Sequence, residues 1–294
     1  MKRILVTGSN GQLGNELKSL EANFPNFHFI FADRSTLDLS DSSSIQTFCQ
    51  ANTFDYCINA GAYTKVDLAE KEQELCLQIN VNGVKTLAEI CFQKGIPFLH
   101  FSSDYVFNGI GTEPYVETDL TDPKGVYAKS KEEGEKALIF LASNYPNSKF
   151  CIIRTSWVYS TFGHNFVKTM IRLMNERPEI SVVNDQIGSP TYAKDLAEAA
   201  LKAVMAWEEG KLLSPIYHFS NEGVCSWFDF ALAIAEFIDY KGKVNPITTS
   251  QYPTPAPRPA YSVLNKSKIK AELDITIRSW EEALDECLQK LIAS

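Results

Sequence analysis

Tyr127 and Lys131 stand four residues apart in the run Tyr127-Ala128-Lys129-Ser130-Lys131. On a helix that spacing puts both side chains on one face, about one turn apart. A free phenol titrates at about pH 10 and exchanges protons poorly at neutral pH. A neighbouring ammonium favours the phenolate and makes the proton easier to pass on. Lysine-rich helices produce this spacing often, so the pair gains meaning only from what lies beside it. The run Leu99-His100-Phe101-Ser102-Ser103-Asp104 reads as an apolar strand ending in hydroxyls. Ser103 at such a strand end would face the same cleft and hydrogen-bond a carbonyl oxygen, holding it toward Tyr127. Ser103, Tyr127 and Lys131 are therefore the catalytic candidates, for proton transfer at a carbonyl. No G-x-S-x-G elbow is present, which disfavours a nucleophilic serine.

A second constellation opens the chain. Gly8-Ser9-Asn10-Gly11-Gln12-Leu13-Gly14 follows a short apolar run, Ile4 to Thr7, and precedes a helical pattern. Glycines there let the backbone turn tightly and approach a pyrophosphate, which the free N–H groups of a helix N-terminus then hold. Gly8, Asn10, Gly11, Gln12 and Leu13 are the candidates for this contact. Asp33 ends the next strand-like run, 19 residues after Gly14, about where a carboxylate meets the adenosine ribose of NADH. Its neighbour Arg34 suits the 2′-phosphate of NADPH instead. The two favour opposite cofactors, so NADPH or NADH is expected. Ala60-Gly61-Ala62 follows a third apolar run, and such small residues let a loop lie flat on a cofactor; Asn80 is placed to support it. Moving a phenol by three units takes about 4 kcal/mol, which Lys131 and a cationic nicotinamide ring would share. Lys131 would also hold the nicotinamide ribose, and so joins Tyr127 among the cofactor contacts.

These groups need a scaffold that brings strand ends together. Residues 1–155 alternate strand-like and helix-like segments: Phe27 to Ala32, Tyr56 to Asn59, Pro97 to Phe101 and Phe150 to Arg154 read as strands. Leu13 to Leu20, Ile45 to Cys49, Leu75 to Gln93 and Lys129 to Leu141 read as helices. The strands are almost continuously apolar, as a sheet covered on both faces requires. The fold class is α/β, a doubly wound parallel sheet of Rossmann type with a smaller C-terminal substrate-binding lobe. Residues 156–294 would form mainly that lobe, with the part near 190–210 packing back on the first domain. Phe166 to Met174, Ala193 to Trp207 and Trp227 to Phe237 look helical. Pro253 to Pro259 is too proline-rich for a helix or central strand.

Composition excludes several other roles. The net charge of −8 over 294 residues argues against a general nucleic-acid or anionic-membrane surface. Seven scattered cysteines without a C-x-x-C pair read as reduced core thiols of a cytoplasmic protein. The four histidines lie far apart and give a zinc site no support, so no metal is expected. The apolar start is cut short by the glycine loop, and no run of about 18 apolar residues exists for a membrane span.

Longer strings carry a resemblance. Ser102-Ser103-Asp104-Tyr105-Val106-Phe107 with Gly109 resembles the S-T-D-Y-V-F-x-G pattern of the dTDP-4-dehydrorhamnose reductases, a branch of the extended short-chain dehydrogenases. Arg154 to Tyr159, Asn165-Phe166-Val167, Asp185 to Thr191, and Arg258-Pro259 with Ser262-Val263-Leu264 match as well. The resemblance runs from residue 4 to about 270. It implies hydride transfer to C4 of a dTDP-4-keto-6-deoxy sugar as the last step of dTDP-rhamnose synthesis. It gives Ser103, Tyr127 and Lys131 the roles already described and sets Asp38 and Leu39 beside the adenine. It places Ser103, Asp104, Val106, Phe107, Trp157, Gly188, Pro190, Thr191 and Arg258 at the substrate. Ser103 replaces the usual threonine, keeping the hydroxyl and losing some rotamer stiffness. Some relatives hold magnesium between subunits through carboxylates. Glu16 suits one such position, but Lys194 falls where a second glutamate would stand, so a monomer or weak homodimer is expected. A nucleotide-sugar epimerase or dehydratase of the same scaffold, and a non-catalytic regulatory subunit, stay open as alternatives.

Overall fold

A computed structural model describes residues 1–293. Its first half runs β1 (Lys2–Thr7), α1 (Gln12–Leu20), β2 (Phe27–Ala32), α2 (Ser42–Ala51), β3 (Tyr56–Asn59), α3 (Val66–Ala69), α4 (Gln73–Leu77), α5 (Val84–Gln93), β4 (Phe98–Ser103), α6 (Val126–Ser143) and β5 (Phe150–Thr155). The second half continues with β6 (Val158–Tyr159), α7 (Phe166–Glu176), β7 (Glu179–Val183), β8 (Ile187–Gly188), β9 (Thr191–Tyr192) and α8 (Ala193–Glu208). It ends with β10 (Ile216–Phe219), β11 (Cys225–Ser226), α9 (Trp227–Phe237), β12 (Lys243–Ile247), α10 (Ser267–Leu273) and α11 (Trp280–Ala293).

Six strands form one parallel sheet in the order β10-β5-β4-β3-β1-β2. Strand order reverses between β1 and β3, the place where doubly wound sheets open a crevice at their carboxyl ends. Helices cover both faces. Leu17 and Leu20 of α1 and the alanine-rich face of α8 pack on one side, against Ile4, Val6, Ile58 and Ile153. Ile45, Leu87, Cys91 and Leu138, from α2, α5 and α6, pack on the other. The small residues of α8 let it lie close to α1, and β10 adds a strand from the second half beyond β5. A separate core in the second half joins α7, α9 and α11 around Phe230 and Trp280, beside the parallel pair β7–β12.

Two stretches differ from the periodic reading. Residues 75–93 look like one amphipathic helix, but Gln78–Gly83 adopts π-helical geometry between α4 and α5. The cause is tertiary. The carbonyl of Asn80 packs where a Cβ on Gly134 would come within 2.3 Å, and that of Leu39 where a Cβ on Gly83 would come within 2.2 Å. Strand β10 is short and carries a tyrosine and a histidine, so nothing in its pattern announces a buried sheet strand. All seven cysteines are buried and unpaired. Among the described residues, no helix is long and apolar enough to cross a membrane.

Candidate active site

The glycine loop is shaped for close approach. A Cβ on Gly14 would lie 2.5 Å from the Gly8 carbonyl and 2.6 Å from the Ser9 Cα, and one on Gly8, at φ +63°, 2.6 Å from Gly61. Gly11 is the N-cap of α1 and offers no side-chain cap, and the first turn holds no acidic residue. The first N–H groups of α1 are thus left for an anion. Gln12 spans the two halves: its Nε2 donates to the Val158 carbonyl at 3.3 Å, and its Oε1 accepts from Asn165 Nδ2 at 3.0 Å. Leu13 lies half-buried in the sheet-face core.

The turn after β2 is charged and hydrogen-bonded. Asp33 accepts from Asn10 Nδ2 at 2.9 Å and from the Ser35 hydroxyl at 2.6 Å. The hydrogen bond from Ser35 leads in holding its carboxyl below the usual range. Arg34 is exposed and pairs with Asp38 at 3.2 Å. Leu39 is buried against Gly61, where a Cβ would meet Leu39 Cδ1 at 2.6 Å. Asn80 is buried and clasps the 60–63 loop from the π-helical turn. Its Oδ1 accepts from the Tyr63 N–H at 2.9 Å, and its Nδ2 donates to the Tyr63 carbonyl at 3.1 Å and to Ser130 Oγ at 2.9 Å. It therefore holds Ala60, Gly61 and Ala62 in place while touching α6.

The three catalytic candidates stand at one end of the sheet. Gly125, φ +83°, caps the start of α6, and the Glu70 carboxylate accepts from the Val126 N–H at 2.8 Å, fixing the turn that carries Tyr127. The Tyr127 ring packs edge-on to Tyr105 at 5.7 Å. Burial raises its pKa, ahead of the nearby Ser103 hydroxyl, which lowers it, and the Asp104 and Cys76 charges, which raise it. The phenol is thus kept protonated. Ser103 caps the turn after β4; its hydroxyl donates to Asp104 Oδ1 at 2.9 Å and accepts from the Tyr105 N–H at 3.2 Å. Burial pushes the Asp104 carboxyl up to about 6. Lys131 is buried, donates to the Phe101 carbonyl at 2.7 Å, and is lowered to about 8 by desolvation, against the opposing Glu135 charge.

The substrate candidates divide. Trp157, strained at φ +47°, stacks on Trp227 at 3.6 Å. A Cβ on Gly188 would meet Trp157 at 2.7 Å and Ser262 Oγ at 3.0 Å. Asp104 and Ser262 are close enough to interact, yet Asp104 Oδ2 and Ser262 Oγ lack well-formed hydrogen bonds. Trp157 and Ser262 therefore meet at Gly188, and Ser262 in turn lies near Asp104, the chain neighbour of Ser103. Val106 and Phe107 face inward, packed with Tyr115 and Leu264, and their backbone is engaged too: the Val106 carbonyl accepts from the Asp122 N–H at 3.0 Å and the Phe107 N–H donates to the Asp104 carbonyl at 3.1 Å. Pro190 and Thr191 are buried, with Thr155 Oγ1 donating to Thr191 Oγ1 at 3.3 Å. Arg258 donates to Asp67 at 2.7 Å and bears on Tyr105. Ser262 belongs to a matched string without a role read for it, and Trp227 and Asp67 carry no local signal in the sequence; only the folded chain brings them to the site.

The RmlD substrate binding domain family matches residues 1–293. The chain is 43% identical over 290 residues to the spore coat polysaccharide biosynthesis protein SpsK of Bacillus subtilis, covering 99% of this chain and 98% of that one. It is 40% identical to the dTDP-4-dehydrorhamnose reductase of Aggregatibacter actinomycetemcomitans, with 97% of each chain covered. The chain belongs to the dTDP-4-dehydrorhamnose reductase family. A crystal structure of the Bacillus anthracis dTDP-4-dehydrorhamnose reductase in complex with NADP superposes with a TM-score of 0.91, at 39% identity, covering 98% of this chain and 99% of that chain. In this family member the glycine cradle, with backbone filling every place a Cβ would occupy at Gly8 and Gly14, suits a dinucleotide pyrophosphate.

Proposed function

We propose that this protein reduces the C4 keto group of dTDP-4-dehydro-L-rhamnose to give dTDP-L-rhamnose, using NADPH or NADH. The observation that carries the reading is the convergence of Ser103, Tyr127 and Lys131 at the carboxyl end of β4 and the start of α6, beside a glycine cradle. The nicotinamide, when bound, supplies the hydride. The chain's own groups do the rest. Tyr127, kept protonated by burial, delivers its proton to the carbonyl oxygen. Ser103 turns its hydroxyl from Asp104 to that oxygen and stabilises the charge developing there. Lys131 holds the ribose and supplies positive charge near the phenol.

Residues 1–155 would hold mainly the cofactor and residues 156–294 mainly the substrate, with Trp157, Gly188, Pro190, Thr191 and Arg258 around the sugar and nucleotide. Asp33, Asp38 and Leu39 would border the adenosine, and Arg34 its 2′-phosphate. We read the protein as a cytoplasmic monomer or weak homodimer without a nucleic-acid partner. Burial raises the Glu16 carboxyl, against the Ser160 hydrogen bond and the Lys290 and Lys194 charges, and Lys194 is bonded to Glu286 at 2.8 Å, so cationic charge at this face comes from within the chain. Cofactor stoichiometry separates this reading from an epimerase. One reduced cofactor should be consumed for each sugar nucleotide converted; conversion without consumption would rule the reductase out.

A further inference from the structure

Thr7, Asn59 and His100 are register partners across three adjacent strands: Thr7 pairs with Asn59 between β1 and β3, and Asn59 with His100 between β3 and β4. All three are buried. Their side chains form a continuous chain of hydrogen bonds. The Gly61 N–H donates to Thr7 Oγ1 at 3.1 Å. Thr7 Oγ1 lies 2.6 Å from Asn59 Oδ1, and Asn59 Nδ2 lies 3.1 Å from His100 Nδ1. His100 Nε2 then lies 3.5 Å from Lys131 Nζ.

The donors and acceptors fix the protons along this chain. The Thr7 hydroxyl accepts from Gly61, and its one proton finds an acceptor in Asn59 Oδ1. That sets the Asn59 amide with Nδ2 toward His100, so His100 Nδ1 must accept. Burial, and secondly the Lys131 charge, keep the imidazole neutral. Its single proton is therefore on Nε2, facing Lys131. The reverse arrangement, with the amide flipped, leaves the Thr7 proton without an acceptor in a buried site. His218 provides the internal contrast: its Nδ1 lies 3.1 Å from the Tyr115 carbonyl and its Nε2 faces Arg154, so its proton is on Nδ1.

We propose that His100 is a positioning residue for Lys131: the chain from Gly61 through Thr7 and Asn59 presents an imidazole N–H to the lysine amine, restrains its charge, and ties that charge to the cofactor loop. The proposal rests on the reading above in which Lys131 serves Tyr127 and the ribose. An N–H opposite Lys131 favours the neutral amine, which can accept from His100 while donating to the Phe101 carbonyl. The other groups facing the lysine act the opposite way: Glu135, one turn along α6 and paired with Arg154, and the Cys76 thiol of α4 both favour the ammonium. His100 is the counterweight from β4, and movement of Gly61 against a bound cofactor is transmitted to it through the sheet.

The direct test is the tautomer, read by nitrogen-15 NMR of the whole enzyme labelled in its imidazole nitrogens. The His100 signal is assigned by its loss in His100→Gln. His100 should show a protonated Nε2 and a bare Nδ1, opposite to His218. A proton on Nδ1 of His100 would overturn the proposal. Coupling to Lys131 is tested by Asn59→Asp, whose carboxylate must accept from His100 Nδ1 and so turns a bare Nε2 to the lysine. The basic limb of the kcat/KM profile should then move up by about one pH unit. Thr7→Val should move it the same way by less, and Thr7→Ser, which keeps the hydroxyl, should restore it. An inverted tautomer with an unmoved limb would also overturn the proposal. The two readings fail separately: a fully active Tyr127→Phe removes the acid assignment and leaves the tautomer standing, whereas a misplaced His100 proton leaves Tyr127 as the acid.

Discussion

Replacing Tyr127 by phenylalanine removes one oxygen from a site that holds no ready substitute. The nearest hydroxyl, Ser103 Oγ, already donates its proton to Asp104 at 2.9 Å and would have to leave that bond to serve as acid. Loss of one positioned proton donor costs about 10²–10⁴ in rate, or about 2.7–5.4 kcal/mol of transition-state stabilisation. The aromatic ring survives, so its edge-on packing against Tyr105 at 5.7 Å survives with it. The cofactor cradle at Gly8 to Gly14 is untouched. The expected result is a fall in kcat of that size with little change in cofactor affinity and no loss of thermal stability. Single-turnover oxidation of bound NADPH, followed at its absorbance band, isolates the chemical step from release. A rate close to that of the unaltered enzyme would refute the reasoning, because the developing alkoxide would then take its proton from elsewhere.

Other consequences follow from the same geometry. Ser103→Thr should stay active because the hydroxyl and its cap on the Tyr105 N–H persist, while Ser103→Ala should lose about 10²-fold in kcat, checked by steady-state assay. Asp104 is raised by burial from 3.8 to about 6, so it favours folding when protonated; that contribution is whole below about pH 4 and is lost as pH rises to about 6. Asp104→Asn removes the buried charge and gives Ser262 Oγ a donor. The variant should be the more stable by about 3 kcal/mol above pH 6, and no more stable below pH 4, in denaturant melts. Arg34→Ala should raise the KM for NADPH and leave that for NADH nearly unchanged; equal KM values for NADPH would remove Arg34 from the 2′-phosphate site.

Legibility in the sequence follows how local each feature is. Gly8 to Gly14 can be read because the turn, the cradle and the helix start lie within seven residues, and each glycine answers a steric demand. Tyr127 and Lys131 can be read because one helical turn sets their spacing. Residues whose purpose is set by distant partners cannot. Asn80 is legible as a support of the 60–62 loop but its means is not: Gly134 must admit its carbonyl and the π-helical turn must aim its amide at Tyr63. His100 looks like an interruption in an apolar strand, since Asn59 is 41 residues away and Thr7 further still. Val106 and Phe107 belong to a motif string, yet the structure uses their side chains as core. Strand β10 goes unread because it is short and its sheet partner, β5, precedes it by some sixty residues.

The most direct measurement of the central claim is isotopic. The enzyme is given dTDP-4-dehydro-L-rhamnose and NADPH deuterated at the transferable position of its nicotinamide C4, and the product is analysed by proton NMR. The account predicts one deuterium, at C4 of dTDP-L-rhamnose, for each cofactor oxidised. Product with hydrogen at C4, or deuterium at any other sugar carbon, would contradict it.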